Sequence, residues 1–234
     1  MLMLAGLVVL GGLSVNAASP GGATMTDQTK INIGRAVVVE SPIEPSHATL
    51  SAIVAVSATK CGDIVGGSGF LLGDGLIVTA AHLTDNDGTI ALVGAGSSIT
   101  SKPARLASNS DLAVARHDMK GAESLRLAAH DPEPGTPVAL MGVERGGRVA
   151  VHAGVVTTRG TAFDYGLEGS DLLVVDTAVS PGHSGGPVVD AEGFVVGVIA
   201  AGEKRTATTL ITPVSELRSM IGATRSTGEL GQSC

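Results

Sequence analysis

Aromatic residues are nearly missing from this chain. Phe, Tyr and Trp together make 2% of its 234 residues, with no Trp at all. Any core must therefore be filled by Val, Leu, Ile and Ala, and the aromatic platforms on which single-stranded nucleic acid stacks are lacking. Positive charge is scarce as well. Fifteen Lys and Arg against 22 Asp and Glu leave a formal net charge of -7, whereas binding a phosphate backbone needs clustered cations. A nucleic-acid partner is not expected. Long hydrophobic runs are missing too: the apolar stretch from Leu2 to Val15 falls short of the ~20 residues that span a bilayer. It ends in Val15-Asn16-Ala17, with small residues where a signal peptidase would cut, so residues 1–17 are expected to be an export signal, or a short anchor if uncleaved. Membrane association is expected only in the uncleaved case. No Lys or Arg precedes the apolar core, which departs from the usual export pattern. Only two cysteines occur, Cys61 and Cys234. In an exported chain an even pair points to a disulfide, here closing a very long loop worth ~4–5 kcal/mol in the ideal entropic limit.

Glycine, by contrast, is abundant, with 33 copies. Short Val, Ile and Thr runs recur between turn signals, which points to an all-β architecture. The length suits one domain or a two-lobed one, and no repeat period is visible. Residues 18–46 are polar and aperiodic apart from Ala36-Val37-Val38-Val39, and are expected to form a linker or arm. A folded domain is expected over 47–222 and a polar tail over 223–234. Within the domain, Thr212 to Ile221 carries helix signals, with Thr212 as N-cap and Pro213 at the first helical position.

One motif stands out: Gly182-His183-Ser184-Gly185-Gly186-Pro187. Its first five residues read G-x-S-x-G, which occurs both in the strand-to-helix elbow of lipases and in the nucleophile loop of serine proteases. An elbow serine needs a histidine further along the chain, and the six histidines are His47, His82, His117, His130, His152 and His183. None follows Ser184. Gly185-Gly186-Pro187 also leads into apolar strand-like runs and not into a helix. The remaining order is His, Asp, Ser. His82 closes Thr79-Ala80-Ala81-His82 at the end of the run Gly75 to Val78, and Asp111 opens Asp111-Leu112-Ala113-Val114.

With Gly67-Ser68-Gly69-Phe70, these segments resemble the chymotrypsin-like (trypsin-like) serine proteases, and within them the bacterial HtrA branch. The resemblance covers about residues 49 to 222. It implies two six-stranded antiparallel β-barrels with a C-terminal helix and a serine endopeptidase acting on proteins or peptides without a cofactor. Ser184 would be the nucleophile, His82 its base and Asp111 the group that orients His82. The N–H groups of Gly182 and Ser184 would form the oxyanion hole. The pocket for the residue before the scissile bond would have Ala178 at its base, six residues before Ser184, and Ala200, Ala201, Gly202 and Thr209 as its wall. With no carboxylate there, cleavage is expected after small or medium apolar residues. The cysteine pair is similar to that of membrane-anchored mycobacterial members, and no peptide-binding module of the PDZ type is expected after the last helix.

His183 is a departure. Digestive relatives carry an acid before the nucleophile and HtrA-like ones usually Asn. An imidazole there is expected either to replace that Asn by donating a hydrogen bond inside the loop, or to ionise near pH 6 and alter the loop. The other histidines lack metal-ligand spacing, so His47, His117, His130 and His152 are assigned to surface or packing and no metal site is expected. Asp85-Asn86-Asp87-Gly88 resembles part of a calcium loop but lacks the later glutamate, and is taken as a turn. Two rivals stand beside the protease: a catalytically silent binding protein on the same fold, and a serine esterase.

Overall fold

The computed structural model describes residues 37–38, 43–60, 62–84, 89–94, 96–165, 169, 171–203 and 206–222. Residues 1–17, most of the 18–46 arm, the Asp85–Gly88 turn, both cysteines of the expected disulfide (Cys61 and Cys234) and the 223–234 tail lie outside the described residues. Among those described, no helix is long and apolar enough to cross a membrane.

Strands dominate. In chain order they are β1 (Val37–Val38), β2 (Ile53–Lys60), β3 (Asp63–Leu72), β4 (Leu76–Ala80), β5 (Ile90–Gly94), β6 (Ser97–Ser101), β7 (Pro103–Ala107), β8 (Leu112–Arg116), β9 (Pro137–Val143), β10 (Val149–Thr161), β11 (Asp171–Val175), β12 (Pro187–Val189), β13 (Val195–Glu203) and β14 (Thr208–Pro213). Helix α1 (His47–Ser51) precedes β2, and α2 (Val214–Gly222) follows β14.

They form two sheets. The first runs β6-β5-β2-β3-β4-β8-β7. Its two edges, β6 and β7, are separated in sequence only by Lys102, so the chain bends there and one kinked strand serves both edges. The result is a half-closed barrel of six strands, antiparallel throughout. The second runs β10-β11-β14-β13-β12-β9 and closes because the long β10 pairs β9 with its first half and β11 with its second. A bulge between Val156 and Thr158 marks the change of partner. The expected all-β fold of two six-stranded barrels with a late helix is present. One addition is β1, whose Val37 and Val38 pair in parallel with Ala150 and Val151 of β10 at the edge of the second sheet.

Aliphatic residues fill the interior. One cluster packs Phe70, Leu71, Ile77 and Leu112 with Met141, Val143, Leu217 and Met220, joining the first barrel to β9 and α2. A second, with Val138, Leu140, Leu173, Val188 and Ile211, lies in the other barrel. The folded part also begins earlier than residue 47: Ile43 is buried, and the Ser46 hydroxyl caps α1 by accepting the Thr49 N–H at 3.1 Å.

The start of α2 differs from expectation. Thr212 and Pro213 end β14 and the helix begins at Val214. The buried Thr212 hydroxyl does not cap the helix; it donates to the Ser110 carbonyl at 2.9 Å. Asp131, far away in sequence, takes over the capping, accepting the Ser215 N–H and hydroxyl at 2.8 Å each.

Candidate active site

Register brings the first two residues together. β4 and β8 pair antiparallel with Ala80 opposite Leu112, so the residues just after β4 and just before β8 must be neighbours. His82 sits on the 3-10 turn Ala81–Leu83 that ends β4. Asp111 directly precedes β8 with φ of 50°, a left-handed conformation that Asp tolerates better than most residues. From there its carboxylate grips His82 twice: Oδ1 accepts the backbone N–H at 2.9 Å and Oδ2 accepts Nδ1–H at 2.7 Å. A carboxylate can only accept, so Nδ1 carries the proton and Nε2 is left with a lone pair. The Asp111 turn is itself anchored to the second barrel, where the Ser110 hydroxyl donates to Glu216 of α2 at 2.8 Å.

Ser184 lies on the loop between β11 and β12, at the seam of the barrels. Its carbonyl accepts the Ser68 N–H of β3 at 2.8 Å, and the following Gly185 N–H donates to Ile199 of β13 at 2.7 Å. Ser68 is fully buried and ties the seam further: its hydroxyl donates to the Gly182 carbonyl and accepts the Val143 N–H. Gly185 adopts φ of +80°, and a Cβ there would collide with the Ser68 carbonyl, the Thr79 hydroxyl and the Ala80 nitrogen. Gly182 adopts φ of +108°, a region that side chains rarely enter. Among the described residues, the N–H groups of Gly182 and Ser184 donate no hydrogen bond, and none joins Ser184 Oγ to His82. Such catalytic contacts often tighten only with substrate bound. Of the expected pocket residues, Thr209 and Gly202 lie against the neighbours of Ala178, whereas Ala200 and Ala201 belong to a separate small cluster. The Thr209 hydroxyl donates to Thr177, next to Ala178, at 2.6 Å, and Thr209 pairs with Gly202, which packs on Val179. Ala200 joins Leu172, Val174 and Leu210 in a small cluster with Ala201 against it.

His183 makes a hydrogen bond inside the loop, from Nδ1 to the Ser180 carbonyl, but does not ionise as expected. It is completely buried, and burial, helped by the neighbouring His152, pushes its pKa down to about 4 despite opposition from Ser180 and Glu144. It stays neutral at pH 6 and cannot switch there. His152 is likewise more than filler, because it meets the His183 ring edge-on and its pKa is also lowered by burial. Sequence spacing gave no sign of that pair, nor of the part played by Ser68 beyond its place in a glycine-rich motif.

The family model described as "Trypsin-like peptidase domain" matches residues 67–198, from β3 through the nucleophile loop into β13. The chain belongs to that family. Among curated relatives, this trypsin-like peptidase is 36% identical over 141 residues to Protease Do-like 2, chloroplastic, of Arabidopsis thaliana, covering 56% of this chain and 23% of that protein. It is 31% identical over 142 residues to a probable periplasmic serine endoprotease, DegP-like, of Chlamydia muridarum, covering 59% of this chain and 29% of that protein. The peptidase thus spans about a quarter of the length of these relatives. Among solved structures, the Rv3671c protease from M. tuberculosis in its active form superposes with a TM-score of 0.66 at 19% identity, covering 92% of this chain and 98% of that one. The HtrA-type protease AlgW with a tripeptide gives 0.63 at 23%, covering 76% and 64%. At such identities the structural likeness concerns the fold, while the Do-like and DegP-like names agree with the HtrA branch that the motifs resemble.

Proposed function

We propose that the chain is an exported serine endopeptidase that works through an acyl-enzyme. Ser184 Oγ attacks the scissile carbonyl while His82 Nε2 takes its proton, and Asp111 steadies the imidazolium without taking that proton itself. The oxyanion is met by the N–H groups of Gly182 and Ser184, where one donor is worth about 3–4 kcal/mol of transition-state stabilisation. His82 then gives the proton to the leaving amine, and water releases the acid in the reverse sequence. The observation that carries this reading is the double grip of Asp111 on His82, which leaves Nε2 free beside the seam that holds Ser184. Export is supported by the apolar leader and by relatives named periplasmic.

Cleavage is assigned after small or medium apolar residues, because Ala178, Ala200, Ala201 and Gly202 bring neither charge nor bulk to the pocket. Digestion of a peptide library, with Ser184→Ala as control, tests both points. Cleavage after Ala, Val or Leu that vanishes in the variant supports the assignment. Cleavage strictly after Arg contradicts the pocket, and hydrolysis of esters without peptides favours the esterase.

A further inference from the structure

Behind the loop that carries Ser184, the side chains of Glu144, His152 and His183 each offer a ligand atom, and these atoms lie within 4.8 Å of one another. Strand geometry explains the convergence. Residues two apart on a strand share a face, and directly opposed residues on paired strands point the same way. Leu140, Gly142 and, one residue past the end of β9, Glu144 therefore face the same side as His152 and Ala150, their partners being Leu140 with His152 and Gly142 with Ala150. The Glu144 N–H continues the ladder by donating to Arg148 at 2.8 Å. Gly142 leaves the middle of this face bare, and His183 fills the space: a Cβ on Gly142 would stand 2.7 Å from His183 Cα and 2.8 Å from ring atoms Cγ and Cδ2. The two imidazoles meet with centroids 4.9 Å apart.

Two nitrogens in this nest have nothing to bind. Nε2 of His183 and Nε2 of His152 are both buried without a hydrogen-bond partner among the described residues, and His183 as a whole is 0% exposed. His183 Nδ1 lies 2.9 Å from the Ser180 carbonyl, which can only accept, so Nδ1 holds the proton and Nε2 presents a bare lone pair. A histidine that ligates a metal is arranged in this way, with one nitrogen for the ion and the other N–H on a carbonyl. Glu144 supplies the anionic group, one of its oxygens facing the Arg148 guanidinium at 3.8 Å and the other remaining for an ion.

We propose that Glu144, His152 and His183 form a binding site for a divalent cation of the zinc class, seated beneath the oxyanion loop. Two imidazoles and one carboxylate suit Zn²⁺, whereas Ca²⁺ and Mg²⁺ select oxygen-only sets. Tetrahedral coordination with bonds of about 2.0–2.1 Å sets ligand atoms about 3.4 Å apart. Binding would therefore draw the Glu144 and His152 side chains inward from their present spacing of up to 4.8 Å, with His183 held by Ser180 and Gly142. Because His183 lies between Gly182 and Ser184, the ion pins the turn that presents their N–H groups. This consequence for turnover rests on the peptidase assignment above, whereas metal binding does not.

Titration of chelator-treated, full-chain protein with Zn²⁺ by calorimetry, and with Co²⁺ followed by its visible d–d absorption, tests the site directly. One equivalent should bind with a tetrahedral Co²⁺ spectrum, and His152→Ala and Glu144→Gln should each weaken binding at least about tenfold, since even the outer partners of zinc ligands are typically worth about 10–100-fold. Glu144→Gln, on a hairpin turn, serves where His152→Ala fails to fold. Absence of saturable binding, or binding that Glu144→Gln leaves unchanged, overturns the site. Binding that persists in a protein whose Ser184 proves inert refutes the peptidase assignment and leaves the site standing.

Discussion

Replacing Asp111 by Asn probes the proton bookkeeping at His82 with almost no change of shape. Asp111 accepts two N–H groups, from the His82 backbone at 2.9 Å and from Nδ1 at 2.7 Å. An Asn side chain has one acceptor oxygen and one NH₂. With the oxygen on the backbone N–H, the NH₂ faces Nδ1, which must then accept, moving the ring proton to Nε2. A protonated Nε2 cannot take the proton of Ser184. With the amide flipped, the NH₂ opposes the backbone N–H and the turn carrying His82 is pushed out of place. The favoured first arrangement keeps the fold and removes the base, and the wrong tautomer costs about 10⁴ in turnover in a serine-protease triad, equivalent to about 5.4 kcal/mol at 1.36 kcal/mol per tenfold. Initial rates on a chromogenic peptide with Ala or Val before the scissile bond should show kcat falling by that factor with KM little changed. An Asp111→Asn enzyme within tenfold of the wild-type kcat would refute the role given to this carboxylate.

Two further perturbations address stability. Gly185→Ala places a Cβ against the Ser68 carbonyl, the Thr79 hydroxyl and the Ala80 nitrogen at φ of +80°. Steric strain and overpacking together should lower stability by about 3 kcal/mol or more, read from the urea midpoint, and a loss under about 1 kcal/mol contradicts the tight seam. Asp131 carries a pH signature. Burial raises its carboxyl pKa, but the Arg159 guanidinium and the N–H and hydroxyl of Ser215 outweigh that and hold it below its ordinary value. A depressed folded pKa adds stability above the unfolded value near 3.9 and loses it as pH falls through the folded one. Asp131→Asn should therefore lower Tm at neutral pH, with the gap to wild type closing below about pH 4. A gap that stays constant into acid would contradict the linkage.

Much of the site was legible because its chemistry-bearing residues lie where strands end. His82 follows a β-branched run, Asp111 opens another, and the glycines around Ser184 forbid a helix, so their order along the chain selected one catalytic plan from two. What stayed hidden depends on long-range pairing. Thr212 and Pro213 carry the local signals of a helix start, yet the Thr212 hydroxyl finds Ser110 in the other barrel and the strand continues to Pro213. The ionisation expected of His183 assumed solvent, and burial removes it. Glu144, His152 and His183 share no helical or loop spacing; the register of β9 with β10 and the missing side chain of Gly142 bring them together.

Activation of Ser184 as a nucleophile by His82 is the step on which the proposed turnover depends. Labelling of the purified protein with a fluorophosphonate, followed by peptide mass mapping, measures this directly. Stoichiometric adduct on Ser184, lost in His82→Ala, is the predicted result. An unlabelled Ser184 in folded protein would contradict that activation and point to a catalytically silent member of the fold.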